Sequence, residues 1–162
     1  MKYIAFLRGI NVGGVKIKMT DLKSEFEHQG LTTVQTILNT GNVIFDSPTT
    51  LPDLSFLPVF TFIKTAPELK SIAQNNPFNK KENFHIYVFI AQTDFAKLAL
   101  EEFLKLKTIE EAGSVVEDVF YWQVPIGSTL HTPFGKILGK KQYKEKFTSR
   151  NLNTIEKIVS KL

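Results

Sequence analysis

Only two arginines stand among the twenty basic residues of this chain, Arg8 and Arg150, and each is followed within three residues by asparagine. A guanidinium offers five donors in a planar fork that suits phosphate or carboxylate and that lysine cannot imitate. The wealth of lysine, asparagine and isoleucine points to a coding bias against arginine, so the two that remain mark positions to examine first.

Arg8 opens the stretch RGINVGGVKIK, in which Gly9, Gly13 and Gly14 interrupt an apolar run before Lys16 and Lys18. Successive backbone N–H groups at Gly13 and Gly14 can turn toward one point and form an anion nest, with the positive end of a helix starting near Thr20 just downstream. The stretch matches neither phosphate fingerprint: Gly9 and Gly14 have the P-loop spacing, but Val15 follows where lysine is required, and no Gly-x-Gly-x-x-Gly occurs. The plainer alternative is a tight crossover in which Asn11 bonds its own backbone.

Arg150 lies in TSRNLNT, where Thr148, Asn151, Asn153 and the guanidinium suit an anion equally well. This segment reads as a joint between two helices, with Asn153 as the N-cap of the second. The turn Thr40-Gly41-Asn42 supplies a third set of hydroxyl, backbone and amide groups. GKILGKK (135–141) resembles a shortened P-loop, yet it is one residue short between its glycines and reads as part of a helix.

Most enzyme constellations are missing from the sequence. His28, His85 and His131 are widely spaced, no Gly-x-Ser-x-Gly elbow occurs, and Glu101-Glu102 and Glu110-Glu111 are adjacent pairs that point apart on a helix. No cysteine is present, which excludes disulfides, thiolate metal sites and cysteine nucleophiles. No catalytic residue, metal site or cofactor is therefore expected, although an enzyme using Lys16, Asp21 or Asn42 stays open.

The net charge of +4 is uneven. From residue 136 to 162 eight Lys/Arg face two Glu, a local +6, which leaves −2 for the remainder. Such a quarter is either a solvated lysine face or an attraction for an anionic partner. Tyr121 and Trp122 then suggest a stacking platform for single-stranded nucleic acid; strand alternation would put one ring in the core and the other outside. The run YIAFL before Arg8 is too short for a signal-peptide core or a membrane span, so the expectation is a cytoplasmic chain with no membrane partner.

The elements that must hold these groups follow from periodicity. Residues 2–8 read as a buried strand, and a helix with Leu22 and Phe26 inward runs from a Thr20 cap to Gly30. Residues 33–38 and 42–47 form a hairpin across Asn39-Thr40-Gly41. Residues 48–58, with three prolines, are a loop or a single turn, and 59–64 a strand; Thr65, Pro67 and Glu68 then start a helix through a capping box. After the connecting segment 75–83 the order recurs: strand 84–91, a helix capped by Thr93 with Phe95, Ala99 and Phe103 inward, and a hairpin over 114–125 turning at Glu117-Asp118. Pro133 opens a further helix, and Ile155, Ile158, Val159 and Leu162 line the last one. The predicted fold is α+β, two ferredoxin-like (split βαβ) halves over 1–76 and 77–162, mainly antiparallel sheet with helices on one face.

Three segments together, FLRGINVGG…MTDL, LNTGNVIFDS and FTSRNLNTIEKI, with NNPF (75–78) between them, resemble the bacterial domain of unknown function 1697 family. Thr40 stands where that pattern has serine, and residues 48–58 look shorter than a full helical connection. The resemblance implies an α+β fold with ferredoxin-like halves and carries no activity. The residues matching its motifs include both arginines. The functional expectation is a polar cleft lined by Arg8, Gly9, Asn11, Gly13, Gly14, Lys16, Thr40, Gly41, Asn42, Thr148, Arg150, Asn151 and Asn153. It would hold a phosphate- or carboxylate-bearing small ligand, a nucleotide among the candidates. The alternative is a nucleic-acid module built on the basic C-terminal quarter.

Overall fold

The computed structural model describes all 162 residues. Contacts divide the chain into two compact units, Met1–Lys70 with Ile158–Leu162, and Ser71–Lys157.

In the first unit β1 (Lys2–Leu7), α1 (Met19–His28), β2 (Thr32–Ile37), β3 (Asn42–Asp46) and β4 (Thr61–Thr65) build an antiparallel sheet in the order β2-β3-β1-β4. Central β1 pairs with β3 from Lys2↔Asp46 to Phe6↔Asn42 and with β4 from Tyr3↔Thr65 to Leu7↔Thr61. Tyr3, Ala5 and Leu7 alternate onto the face that α1 covers with Leu22 and Phe26. Ile4, Phe6 and Ile44, on the opposite face, are also buried, which explains why β1 reads as an unbroken apolar run rather than an alternating one.

The crossover from β3 to β4 contains no helix. Leu54 and Leu57 fill that part of the core instead, and Phe56 meets the Phe26 ring edge-on with centroids 5.5 Å apart. The Thr65–Glu68 capping box forms: Thr65 N–H and Oγ1 both donate to Glu68 Oε2, and Glu68 N–H returns to Thr65 Oγ1. It opens α2 (Ala66–Gln74).

The second unit repeats the plan with β5 (Phe84–Ala91), α3 (Phe95–Leu106), β6 (Ala112–Val116), β7 (Val119–Pro125) and β8 (Phe147–Asn151), ordered β6-β7-β5-β8. Here the second crossover does carry helices, α4 (Pro133–Leu138) and α5 (Lys141–Lys144), and α6 (Leu152–Val159) ends the chain. The core is unusually aromatic: Phe89 stacks on Phe147 at 4.8 Å, Phe147 on Phe95 at 5.0 Å, and Trp122 meets Phe134 edge-on at 5.1 Å.

Several local expectations are corrected. Thr20 lies inside α1; Lys18 holds the cap position and makes no side-chain cap bond, because the loop before it delivers the chain in extended conformation two residues early. Thr93 does not cap α3. Gln92 N–H is tied to the Lys146 carbonyl and Phe95 N–H to the Gln92 carbonyl, which leaves Asp94 left-handed at φ 70° and starts the helix at Phe95. Residues 148–151 are strand rather than helix joint, since β5 takes them as its outer partner from Ala91↔Phe147 to Tyr87↔Asn151.

Candidate functional site

The glycine loop is held by Asn11. Its Nδ2 donates to the Ile17 carbonyl (3.0 Å) and the Asn39 carbonyl (2.7 Å), and its Oδ1 accepts from Ile17 N–H (3.0 Å). Its own N–H donates to the Val15 carbonyl at 2.9 Å, and it adopts φ 58°, a conformation asparagine tolerates better than most residues. The Asn11 side chain thus bonds the backbone of Ile17 and Asn39 rather than its own, and ties the loop to the β2–β3 turn. Gly9, Gly13 and Gly14 also have positive φ, at 71°, 83° and 75°, and together with Lys16 they are exposed. Arg8 is half-buried, and burial lowers its pKa from the ordinary arginine value.

Gly41 and Asn42 serve the fold in ways the sequence signals only in part. A Cβ at Gly41 would stand 2.8 Å from Leu7 Cβ, and φ there is 91°, so both space and backbone demand glycine. Asn42 is fully buried, its Nδ2 donating to the Ile37 carbonyl (3.0 Å) and to Thr40 Oγ1 (3.2 Å). These bonds close the β2–β3 turn from within.

The glycine loop and the 40–42 turn belong to the first unit, and residues 148–153 to the second. On β8, Thr148 and Arg150 lie two residues apart on one face, both buried, and Arg150 Nη1 donates to Thr148 Oγ1 at 2.8 Å and to the Ser149 carbonyl at 2.9 Å. Asn151 does the capping expected of Asn153: its Oδ1 accepts the Asn153 N–H at 3.0 Å, and Asn153 itself lies within α6.

Beside this helix start is a hollow of about 140 Å³ lined by Lys80, Lys81, Phe84, His85, Ile86, Asn151, Leu152 and Asn153. Lys80 Nζ pairs with Glu156 Oε1, and Lys81 Nζ sits 5.3 Å above the Phe84 ring. His85 Nδ1 lies 3.3 Å from Tyr87 Oη, and burial raises the Tyr87 pKa, so the phenol stays protonated at neutral pH and can donate to the imidazole. The lysines and His85 are residues that sequence reasoning missed. NNPFNKKEN read only as a connection, though its paired lysines were the available signal.

Other expected features take structural roles. Gly135 of GKILGKK is required because a Cβ there would run into the Thr129 carbonyl oxygen, and its N–H donates to Thr132 Oγ1 at 3.0 Å. The helix reading holds for its first half only, since α4 stops at Leu138 and α5 begins at Lys141. Tyr121 and Trp122 are both buried, so the stacking platform is overturned. The sheet is covered on both faces, and alternation sends one ring to each interior: Trp122 toward Phe134, and Tyr121 to donate its hydroxyl to the Ile72 carbonyl at 2.7 Å. The lysines of α4 and α5 are exposed. No group of three His, Asp or Glu side chains gathers as a metal site would need.

Two antiparallel sheets with the same strand permutation, each begun by a strand–helix–hairpin, define a duplicated ferredoxin-like α+β protein. Residues 1–121 match the family model described as "Protein of unknown function (DUF1697)", and the chain belongs to that family. Among solved structures it is similar to the conserved bacterial protein SP0830 from Streptococcus pneumoniae, at 21% identity and a TM-score of 0.74, over 98% of this chain and 97% of that one. At that identity the likeness shows the fold. A comparison with curated proteins finds no match.

Proposed function

We propose that this protein binds a small ligand carrying a phosphate or carboxylate group, in the hollow beside the start of α6. The observation that carries the reading is the lining: two lysines, a histidine and two asparagines around about 140 Å³. Ammonium groups act as point charges for an anion, and the N–H groups of a helix's first turn add partial positive charge. Whole small-molecule sites usually occupy about 300–1,000 Å³, so this hollow suits inorganic phosphate or the charged end of a larger ligand. Lys81 is steadied over Phe84, while Lys80 already has a carboxylate partner in Glu156, so an incoming anion competes with that carboxylate. A cytoplasmic setting belongs to the same proposal; a chain without cysteine owes nothing to an oxidising compartment.

The test is a thermal-shift screen at low ionic strength with inorganic phosphate, a sugar phosphate, a dicarboxylate, a nucleotide and a short oligonucleotide. A ligand at about a hundred times its Kd adds roughly 2.7 kcal/mol, a clear rise in Tm. The reading predicts a shift with a small anion that Lys81→Ala removes. A flat response to every small anion contradicts it. A shift confined to the oligonucleotide, and erased by salt, would move the working surface to the basic C-terminal quarter.

A further inference from the structure

The first unit exposes four apolar side chains at one end of its sheet: Val12 is 71% exposed, Val15 38%, Leu38 46% and Phe60 50%. Three hydrogen bonds bring their segments together. Asn11 N–H donates to the Val15 carbonyl (2.9 Å), Asn11 Nδ2 to the Asn39 carbonyl beside Leu38 (2.7 Å), and Arg8 N–H to the Phe60 carbonyl (2.9 Å). The valines flank Gly13 and Gly14, both in left-handed conformation, so the loop presents them outward instead of folding them back. Within the segments that carry them the charge has one sign, and the nearest acidic residue along the chain is Asp21 in the first turn of α1. Residues 8–18, 38–42 and 58–62 contain Arg8, Lys16 and Lys18 and no Asp or Glu, and both lysines are exposed.

We propose that this end of the first unit docks reversibly on an anionic phospholipid bilayer. Val12, Val15 and Phe60 enter the boundary between headgroups and acyl chains, while Lys16 and Lys18 stay among the lipid phosphates. The charge complementarity is with a surface of negative sign, and the shape favours a bilayer over a protein partner. Four part-exposed side chains fall well short of the roughly 800 Å² that a stable protein interface takes from each side. A bilayer, by contrast, accepts single protruding apolar groups one by one. The sequence-based expectation of no membrane partner rested on the lack of a spanning segment, and no helix is long and apolar enough to cross a membrane. A peripheral contact needs none.

Flotation of the full chain with vesicles of phosphatidylcholine alone, and with vesicles of phosphatidylcholine mixed with phosphatidylserine, tests the proposal. The chain should float with the mixed vesicles and stay behind with phosphatidylcholine alone. Val12→Asp should lower the bound fraction at least tenfold, and Lys16→Ala or Lys18→Ala about fivefold each. The Val12 side chain is exposed, so the melting temperature should be unchanged; Val12→Ser serves as the second variant if the aspartate disturbs the loop. The proposal is overturned if the mixed vesicles do not carry the chain, or if both Val12 variants float like the parent. Equal binding to soluble polyglutamate would also overturn it, assigning the face to an acidic protein instead.

Discussion

The indole N–H of Trp122 donates to Glu111 Oε1 at 2.9 Å, and the other carboxylate oxygen of Glu111 accepts the Thr108 N–H at 2.7 Å. One buried carboxylate thus joins the end of the α3–β6 connection to the middle of the aromatic core. Glu111→Ala leaves a buried indole donor without an acceptor, a loss of about 1–3 kcal/mol. Urea denaturation should show that loss, and Glu111→Gln, which keeps an acceptor for the indole, should lose less. Trp122 is the only tryptophan, so its fluorescence reports the same unfolding without a label.

The glycines differ in what they demand, and alanine separates them. At Gly41 both a positive φ and the nearby Leu7 Cβ oppose a side chain, whereas at Gly13 a Cβ would meet nothing within 4 Å. Gly13→Ala should cost about 1–2 kcal/mol for the left-handed backbone alone. Gly41→Ala should cost clearly more, because Leu7 belongs to the central strand and cannot move aside. Equal melts for the two variants would refute this account of the β2–β3 turn.

Asn11→Ala removes three side-chain hydrogen bonds and places alanine at φ 58°. A destabilisation of about 2–4 kcal/mol is expected from the lost bonds and the strained backbone together. Asn11→Gly relieves the backbone but not the bonds, so it should fall between alanine and the parent. Amide exchange at Ile17 should accelerate in both variants.

Tyr121 gives the fold an alkaline edge. Burial first, and the negative charge of Glu117 second, push its pKa up to about 12 from an ordinary 10.0. Below pH 10 the phenol is protonated folded or unfolded and contributes no slope. Between 10 and 12 the unfolded chain loses the proton while the folded one keeps it, so stability falls as pH rises. The fall should reach about 2–3 kcal/mol. Tyr121→Phe should flatten that slope in denaturant titrations between pH 9 and 12.

How far the sequence led depends on the range of the signal. The Glu117-Asp118 hairpin was legible because strand-like runs flank a two-residue polar turn; that both turn residues take left-handed φ, 47° and 63°, is a structural result the glutamate did not signal. The Thr65–Glu68 box was legible because a capping box is complete within four residues. Arg150 was legible as a residue of interest but not as part of a strand. Thr148 to Asn151 carry little apolar pattern of their own, and only the open edge of β5 extends them. The two-sided burial of Tyr121 and Trp122 was hidden for the same reason, since alternation tells which face a ring takes but not what covers that face. Around the hollow proposed to bind an anion, Asn151 and Asn153 were named from the motif, while Lys80, Lys81 and His85 come from a segment that only strand pairing brings near.

Anion binding is the central claim, and an NMR titration reads it residue by residue. Inorganic phosphate, then a sugar phosphate, is added to the ¹⁵N-labelled full chain at low ionic strength while amide and imidazole shifts are followed. The account predicts saturable shifts at Asn151, Leu152, Asn153 and His85, lost in Lys81→Ala and strengthened in Glu156→Gln, where Lys80 is released from its carboxylate. Saturation without movement at those four residues, or no saturable shift anywhere, would contradict it.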